Sequence, residues 1–147
     1  MLRITRLTDY ATVILGHMAQ APERLYSAKS ISQELSMGGA TVSKVLKILS
    51  AHHIVLSTRG SEGGYKLAKA ADDLPITDII QAIEGPLAIT ECALVSHHCG
   101  QAKGCGVQTH WQRINQVIAK SLSEVTLADM IKPVSDNPFK LKVEELV

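Results

Sequence analysis

Residues 27–68, SAKSISQELSMGGATVSKVLKILSAHHIVLSTRGSEGGYKLA, carry the reading that decides the fold. Ser27 is a good helix N-cap, and Ala28, Ile31 and Leu35 follow at helical spacing, so a short helix starts here. Ser36-Met37-Gly38-Gly39 reads as a tight turn, since two glycines permit the positive φ that a sharp reversal needs. A further helix is expected over about Ala40–His52, burying Val42, Val45, Leu46 and Leu49 and leaving Thr41, Ser43, Lys44 and Lys47 on the opposite face. Two alternating runs then follow, Ile54–Thr58 and Tyr65–Ala68, joined by Arg59-Gly60-Ser61-Glu62-Gly63-Gly64, the pattern of a β-hairpin. Short helix, tight turn, helix and hairpin is the order of a winged helix-turn-helix.

On the N-terminal side, Leu7, Tyr10, Ala11, Ile14, Leu15 and Met18 predict a helix over roughly Thr8–Gln20, with Thr8 as its cap and Asp9 in its first turn. Further on, Pro75–Glu84 reads as a helix stopped by Gly85-Pro86. Residues 85–105 have no periodicity and are expected to form a long loop. A long helix is expected over Val107–Ser123, with Trp111, Ile114, Val117, Ile118 and Leu122 in one apolar stripe. Thr126–Ile131 resembles a short helical turn, and the chain from Pro133 reads as a polar tail. The expected fold is therefore mainly α with a small β-hairpin wing, a winged helix-turn-helix followed by a long C-terminal dimerisation helix. Three regions result: 1–70 for DNA binding, 71–132 for the loop and dimerisation helix, and 133–147 as tail. The stripe is too long for the small winged region to cover alone, which suggests a homodimer.

The charge supports this division. The net charge of the 147-residue chain is +1, yet residues 1–70 hold nine Lys/Arg against four Asp/Glu, while 71–147 hold six against ten. A basic N-terminal part beside an acidic remainder suits phosphate on one side only. In the major groove the second helix of such a motif reads base edges, so Thr41, Ser43, Lys44 and Lys47 are candidate contacts with double-stranded DNA. At the wing tip, Arg59, Gly60 and Ser61 are candidates for phosphate or a narrow minor groove. Arg6, and the helix start at Ser27 through its N–H groups, are candidate phosphate contacts.

No apolar run approaches the ~20 residues that span a bilayer. The N-terminal stretch carries Asp9 and His17 and lacks a small-residue cleavage site, so it reads as an amphipathic helix and not as a signal peptide. A cytoplasmic protein without a membrane partner is expected. No P-loop, GxGxxG or HExxH pattern and no nucleophile–base pairing is present, which argues against an enzyme.

Cys92, Cys99 and Cys105 fall within fourteen residues, in the segment without periodicity. Their odd number argues against a disulfide framework, and their spacing is not that of paired CxxC knuckles. Three thiols beside His97, His98 and His110 form a credible soft-metal site, for an iron–sulfur cluster or zinc; thiols that sense oxidants without a cluster are the other reading.

The stretches LTDYA (7–11), TVSKVLKIL (41–49), RGSEGGYKLAK (59–69), ITDIIQAIEGP (76–86), WQRIN (111–115) and VTLADM (125–130), with the three cysteines, resemble the IscR/NsrR-type family of iron–sulfur winged-helix regulators. Within it they are most similar to regulators of the SUF iron–sulfur assembly system. The resemblance spans residues 2 to about 132. It implies a homodimer held by the long C-terminal helix, a palindromic operator, and a cluster on Cys92, Cys99 and Cys105 that modulates DNA binding. A 2Fe–2S cluster is the first expectation and a 4Fe–4S cluster the alternative.

Two positions depart from the family pattern. Where members with a 2Fe–2S site place a His three residues after the third Cys, this chain has Gln108. His110 lies roughly 140° round a helix from Cys105. Asp9 stands where some members use an acid of the partner subunit as the last ligand. Asp9, His97 or His98, Gln108 and His110 thus remain candidates, with Asp9 placed first and His110 second. The other departure is His53, which replaces a common glycine between recognition helix and wing.

Overall fold

The computed structural model describes residues 4–90, 93 and 105–133. Six α-helices occur among them: α1 (Arg6–Ala19), α2 (Ala28–Glu34), α3 (Gly39–Ala51), α4 (Ile76–Glu84), α5 (Gln108–Ser123) and α6 (Leu127–Ile131). A two-stranded antiparallel sheet, β1 (Val55–Thr58) and β2 (Gly64–Leu67), lies between α3 and α4, with Val55 opposite Leu67 and Thr58 opposite Gly64. The winged helix-turn-helix expected from the sequence is therefore present.

The helices follow from apolar periodicity. Ala11, Ile14, Leu15 and Met18 of α1, Ile31 of α2 and Val42, Val45, Leu46 and Leu49 of α3 are all fully buried in one core. Ile76, Ile79 and Ile80 of α4 and Leu127 of α6 join the same core. Two backbone bonds fasten α6 to the start of α4, Ile76 N–H to Val125 O and Leu127 N–H to Leu74 O, each 2.8 Å. At α6 the Thr126 hydroxyl and Asp129 carboxylate form a reciprocal capping box.

Two local expectations need correction. Helix α1 starts at Arg6 with Thr5 as its cap, and Thr8 lies inside the first turn, 2% exposed. The Thr8 hydroxyl is not capping; it donates to Glu84 Oε1 at the end of α4. In the turn between α2 and α3 neither glycine has positive φ. Ser36 takes that conformation (φ 52°), and Gly38 is the extended N-cap of α3. A serine tolerates the left-handed region at modest cost, so the glycines were permissive there but not required. Pro75, expected near the first turn of α4, is its N-cap, in line with the expected start.

Helix α5 contributes no fully buried residue. Trp111 and Ile114 are 40% and 43% exposed, whereas Val117, Ile118 and Leu122 are half-buried. Asn115 on α5 secures the segment after α4, its side chain accepting from Ile89 N–H and donating to Leu87 O, both at 3.1 Å.

Candidate nucleic-acid interface and cysteine segment

The surface that could meet DNA is built from α2, α3 and the hairpin. In α3 Val42, Val45, Leu46 and Leu49 are fully buried, which forces Lys44 and Lys47 into solvent and leaves Thr41 and Ser43 half-exposed. Four donor-bearing side chains thus stand together on one helix whose other side is locked in the core. Ser27 caps α2, accepting from Ser30 N–H at 2.9 Å, so that N–H is already engaged. Arg59, Gly60 and Ser61 are exposed at the tip of the hairpin. Gly60 has φ 118°, a region that L side chains rarely adopt, so the tip needs a glycine there.

How the hairpin is seated was not legible in the sequence. Tyr26, just before α2, pairs with Tyr65 of β2 as an isolated antiparallel bridge. Tyr26 N–H donates to Tyr65 O at 2.9 Å and Tyr65 N–H to Tyr26 O at 2.8 Å. The wing thereby gains a third strand-like edge from the linker entering the helix-turn-helix. The available signal was an aromatic in a short polar linker of a chain with only three Tyr, one Trp and one Phe. At the other end of the wing, His53 has φ 56°. It holds the left-handed conformation that glycine would adopt without strain, so the hairpin direction survives the substitution.

Arg6 is placed elsewhere. With Ile4, Thr5, Thr8, Asp9, Thr12, Ile76, Ile80 and Met130 it lines a groove of about 420 Å³ between the start of α1 and helices α4 and α6. Asp9 is exposed in that groove. The start of α1 is held by Glu84, whose Oε1 accepts from Thr5 N–H at 3.0 Å, from the Thr5 hydroxyl at 2.6 Å and from the Thr8 hydroxyl. The hydroxyls of Thr5 and then Thr8, with the Thr5 N–H, hold the Glu84 carboxyl below its usual range.

Of the three cysteines, Cys105 is half-buried as a free thiol three residues before α5. Cys92 and Cys99, with His97 and His98, lie outside the described residues, as does the tail beyond Pro133. Gln108 opens α5 half-buried and His110 is exposed. Among the described residues no three His, Cys, Asp or Glu side chains are grouped to hold a metal ion, so Asp9, Cys105 and His110 do not converge within one protomer. Among the described residues no helix is long and apolar enough to cross a membrane.

Comparison with known proteins gives a consistent pattern. The family model described as Rrf2, an iron-dependent transcriptional regulator, matches residues 4–133. Protein rrf2 of Nitratidesulfovibrio vulgaris is 29% identical over 135 residues, covering 91% of this chain and 90% of that protein. Among solved structures, CymR, the global cysteine regulator of B. subtilis, is 29% identical with a TM-score of 0.66, covering 89% of this chain and 97% of its own. The IscR of T. potens is 26% identical with a TM-score of 0.64, covering 93% of each chain.

Proposed function

The chain belongs to the Rrf2 family of DNA-binding transcriptional regulators, and on that premise we propose that it is a homodimer that senses iron–sulfur status and controls iron–sulfur assembly genes of the SUF type. The observation that carries the reading is the solvent-facing set Thr41, Ser43, Lys44 and Lys47 on a helix fixed by its buried face, in a chain that also brings three thiols within fourteen residues. Residues 1–70 form the DNA-binding region, and 71–132 the cysteine segment and dimerisation helix. Lys44 and Lys47 with Thr41 and Ser43 read bases, while Arg59, Gly60, Ser61 and the α2 start at Ser27 meet phosphate.

The donor set suits an iron–sulfur cluster: three thiolates at Cys92, Cys99 and Cys105, completed by one oxygen or nitrogen ligand. Cys105 lies three residues before the start of α5 and is half-buried. Asp9 of the partner subunit is the leading fourth ligand and His110 the second, on the resemblance to members that use an acid at that position; Asp9 is exposed in a groove, open to a second chain. A bound cluster supplies a group labile to oxygen, nitric oxide or iron shortage. The chain's own contribution is the tether at Glu84: the residue that ends α4, immediately before the cysteine-bearing stretch, also secures the start of α1. A change in that stretch then acts on α1, which packs on α3.

A second reading, a thiol redox or zinc sensor without a cluster, is favoured by the partial exposure of Cys105 and the likeness to a cysteine regulator. Anaerobic purification with iron and sulfide quantified per dimer separates the two. Selection of duplexes from a random pool then tests DNA recognition. A palindromic consensus bound in only one cluster state is expected. A protein that selects no duplex in any state refutes the regulator, and one that binds DNA but holds no iron or sulfide after anaerobic purification leaves the thiol sensor. Within the cluster reading, Asp9→Ala should destabilise the visible absorption more than His110→Ala, and the reverse order would move the fourth ligand to His110.

A further inference from the structure

One carboxylate outside the expected DNA contacts joins three parts of the winged region. Glu34, the last residue of α2, accepts from Arg24 through both of its oxygens, Nη2 to Oε1 at 2.6 Å and Nη1 to Oε2 at 3.2 Å. Its Oε2 is also 2.7 Å from His17 Nε2 on α1. Arg24 places its guanidinium 4.5 Å from the centroid of the Tyr26 ring, and His17 meets that ring edge-on at 5.5 Å. Tyr26 is buried to 2% exposure. It is the residue whose backbone exchanges two hydrogen bonds with Tyr65 and so seats β2.

The order of dependence is readable from this geometry. The Tyr26–Tyr65 pair fixes where the wing stands relative to α2. Arg24 lies over the Tyr26 ring and is oriented by the two-pronged bond to Glu34, a geometry in which the planar guanidinium is held in a single orientation. His17 presses the same ring from the side of α1. An isolated surface ion pair contributes little, but here one carboxylate serves two bases and both bases pack on one buried ring, so the pairs act as a unit.

We propose that Glu34 is a positioning residue for DNA recognition, which through Arg24 and Tyr26 sets the wing, and with it Arg59, at a fixed place beside the recognition helix. The proposal rests on the reading of the chain as a DNA-binding regulator and adds to it a residue that touches no DNA. It distinguishes two ways of losing affinity. Removing a contact on α3 weakens the centre of each half-site, whereas releasing Glu34 unseats the wing and weakens only the flank.

The probe is the palindromic duplex that the parent protein selects from a random pool. Glu34→Ala should bind it about five- to tenfold more weakly. Hydroxyl-radical footprinting should show wing-side protection lost and central protection retained. Glu34→Ala should cost little further in an Arg59→Ala background, because both then remove the same wing contact. Arg24→Met keeps an apolar stem over Tyr26 but loses the two-pronged bond, and should reproduce the footprint of Glu34→Ala. It also serves as the second variant if Glu34→Ala folds poorly. Glu34→Gln, which can still accept from Arg24, should recover part of the affinity. An unchanged affinity and footprint for Glu34→Ala and Arg24→Met overturns the proposal while leaving the regulator intact. So does a uniform loss over the whole footprint that is additive with Arg59→Ala, since that pattern belongs to general destabilisation. A parent protein that selects no duplex overturns the regulator reading itself.

Discussion

Gly64→Ala tests how the wing is attached. An added Cβ at Gly64 would lie 2.8 Å from Tyr26 O, 3.0 Å from its carbonyl carbon and 3.2 Å from its nitrogen, all backbone atoms with no flexible side chain to yield. Ordinary contact begins near 3.4 Å, so β2 must retreat by roughly 0.6 Å (3.4 less 2.8). That stretches the Tyr26–Tyr65 bonds, now 2.9 and 2.8 Å, to the limit of useful geometry. Two backbone bonds at about 0.5–1.5 kcal/mol net each correspond to a loss of about 1–3 kcal/mol. Against this, replacing glycine at a position without positive φ returns about 0.4–1 kcal/mol by restricting the unfolded chain. The expected result is a net destabilisation of about 0.5–2 kcal/mol in urea unfolding, accompanied by weaker operator binding. Gly39→Ala is the control: its Cβ would meet only Ser32 Oγ at 3.7 Å, an ordinary contact, and the residue opens a helix. It should be neutral or stabilising. If Gly64→Ala matches the parent in both stability and DNA affinity, the Tyr26 edge does not seat the wing.

Other expectations follow from the same geometry. Lys44→Ala and Arg59→Ala should each weaken operator binding by about 1–3 kcal/mol in a mobility-shift titration if they meet bases, and affinity should fall steeply with salt; parental binding by both would refute the docking. Ile114→Glu places a charge in the exposed part of the α5 stripe and should give a monomer at micromolar concentration by light scattering, where the parent is dimeric; a monomeric parent would refute this assignment of α5. Acid should destabilise the fold through Glu84, whose hydrogen bonds to Thr5 and Thr8 hold its carboxyl below the ordinary 4.5. A depressed folded-state pKa gives stabilisation that is complete above the unfolded value and is lost as the pH falls through the folded one. Urea midpoints should therefore drop below about pH 4.5, and Glu84→Gln should flatten that part of the profile.

The parts of the fold legible in the sequence were those fixed by contacts near in the chain or by a repeated apolar spacing. Val42, Val45, Leu46 and Leu49 mark the buried side of α3 by period alone, and all four are fully buried. Ser27 was readable as a cap because its partner, Ser30, is three residues away. Thr8 was misread because its true partner is Glu84, 76 residues distant, and a threonine before an apolar run looks like a cap whenever that partner is invisible. Tyr26 was missed for the same reason: its partner Tyr65 is distant in the chain, and the pairing is through the backbone. Gly38 and Gly39 show the opposite error, since permission for positive φ was taken as use of it, while Ser36 made the turn.

The candidate site divides along the same line. The basic and hydroxyl side chains of α3 were visible because chemistry and helical period coincide on thirteen residues. The thiols were visible because their spacing is local. What no local pattern supplies is how the proposed metal site would close, for Asp9 sits on α1 and Cys105 before α5, and among the described residues the two do not group with His110. The fold nevertheless limits how the two regions can communicate. Thr5 and Thr8 are held by Glu84, so the first turn of α1 cannot shift without disturbing the end of α4, and four residues of α1 are fully buried in the core that also holds α3. A packed core of this kind transmits a rigid displacement better than it absorbs one. If Asp9 is a ligand, loss of the metal group releases the outer side of the same turn that Glu84 grips from within. Helix α3 then responds through α1, with no separate linker needed to carry the signal.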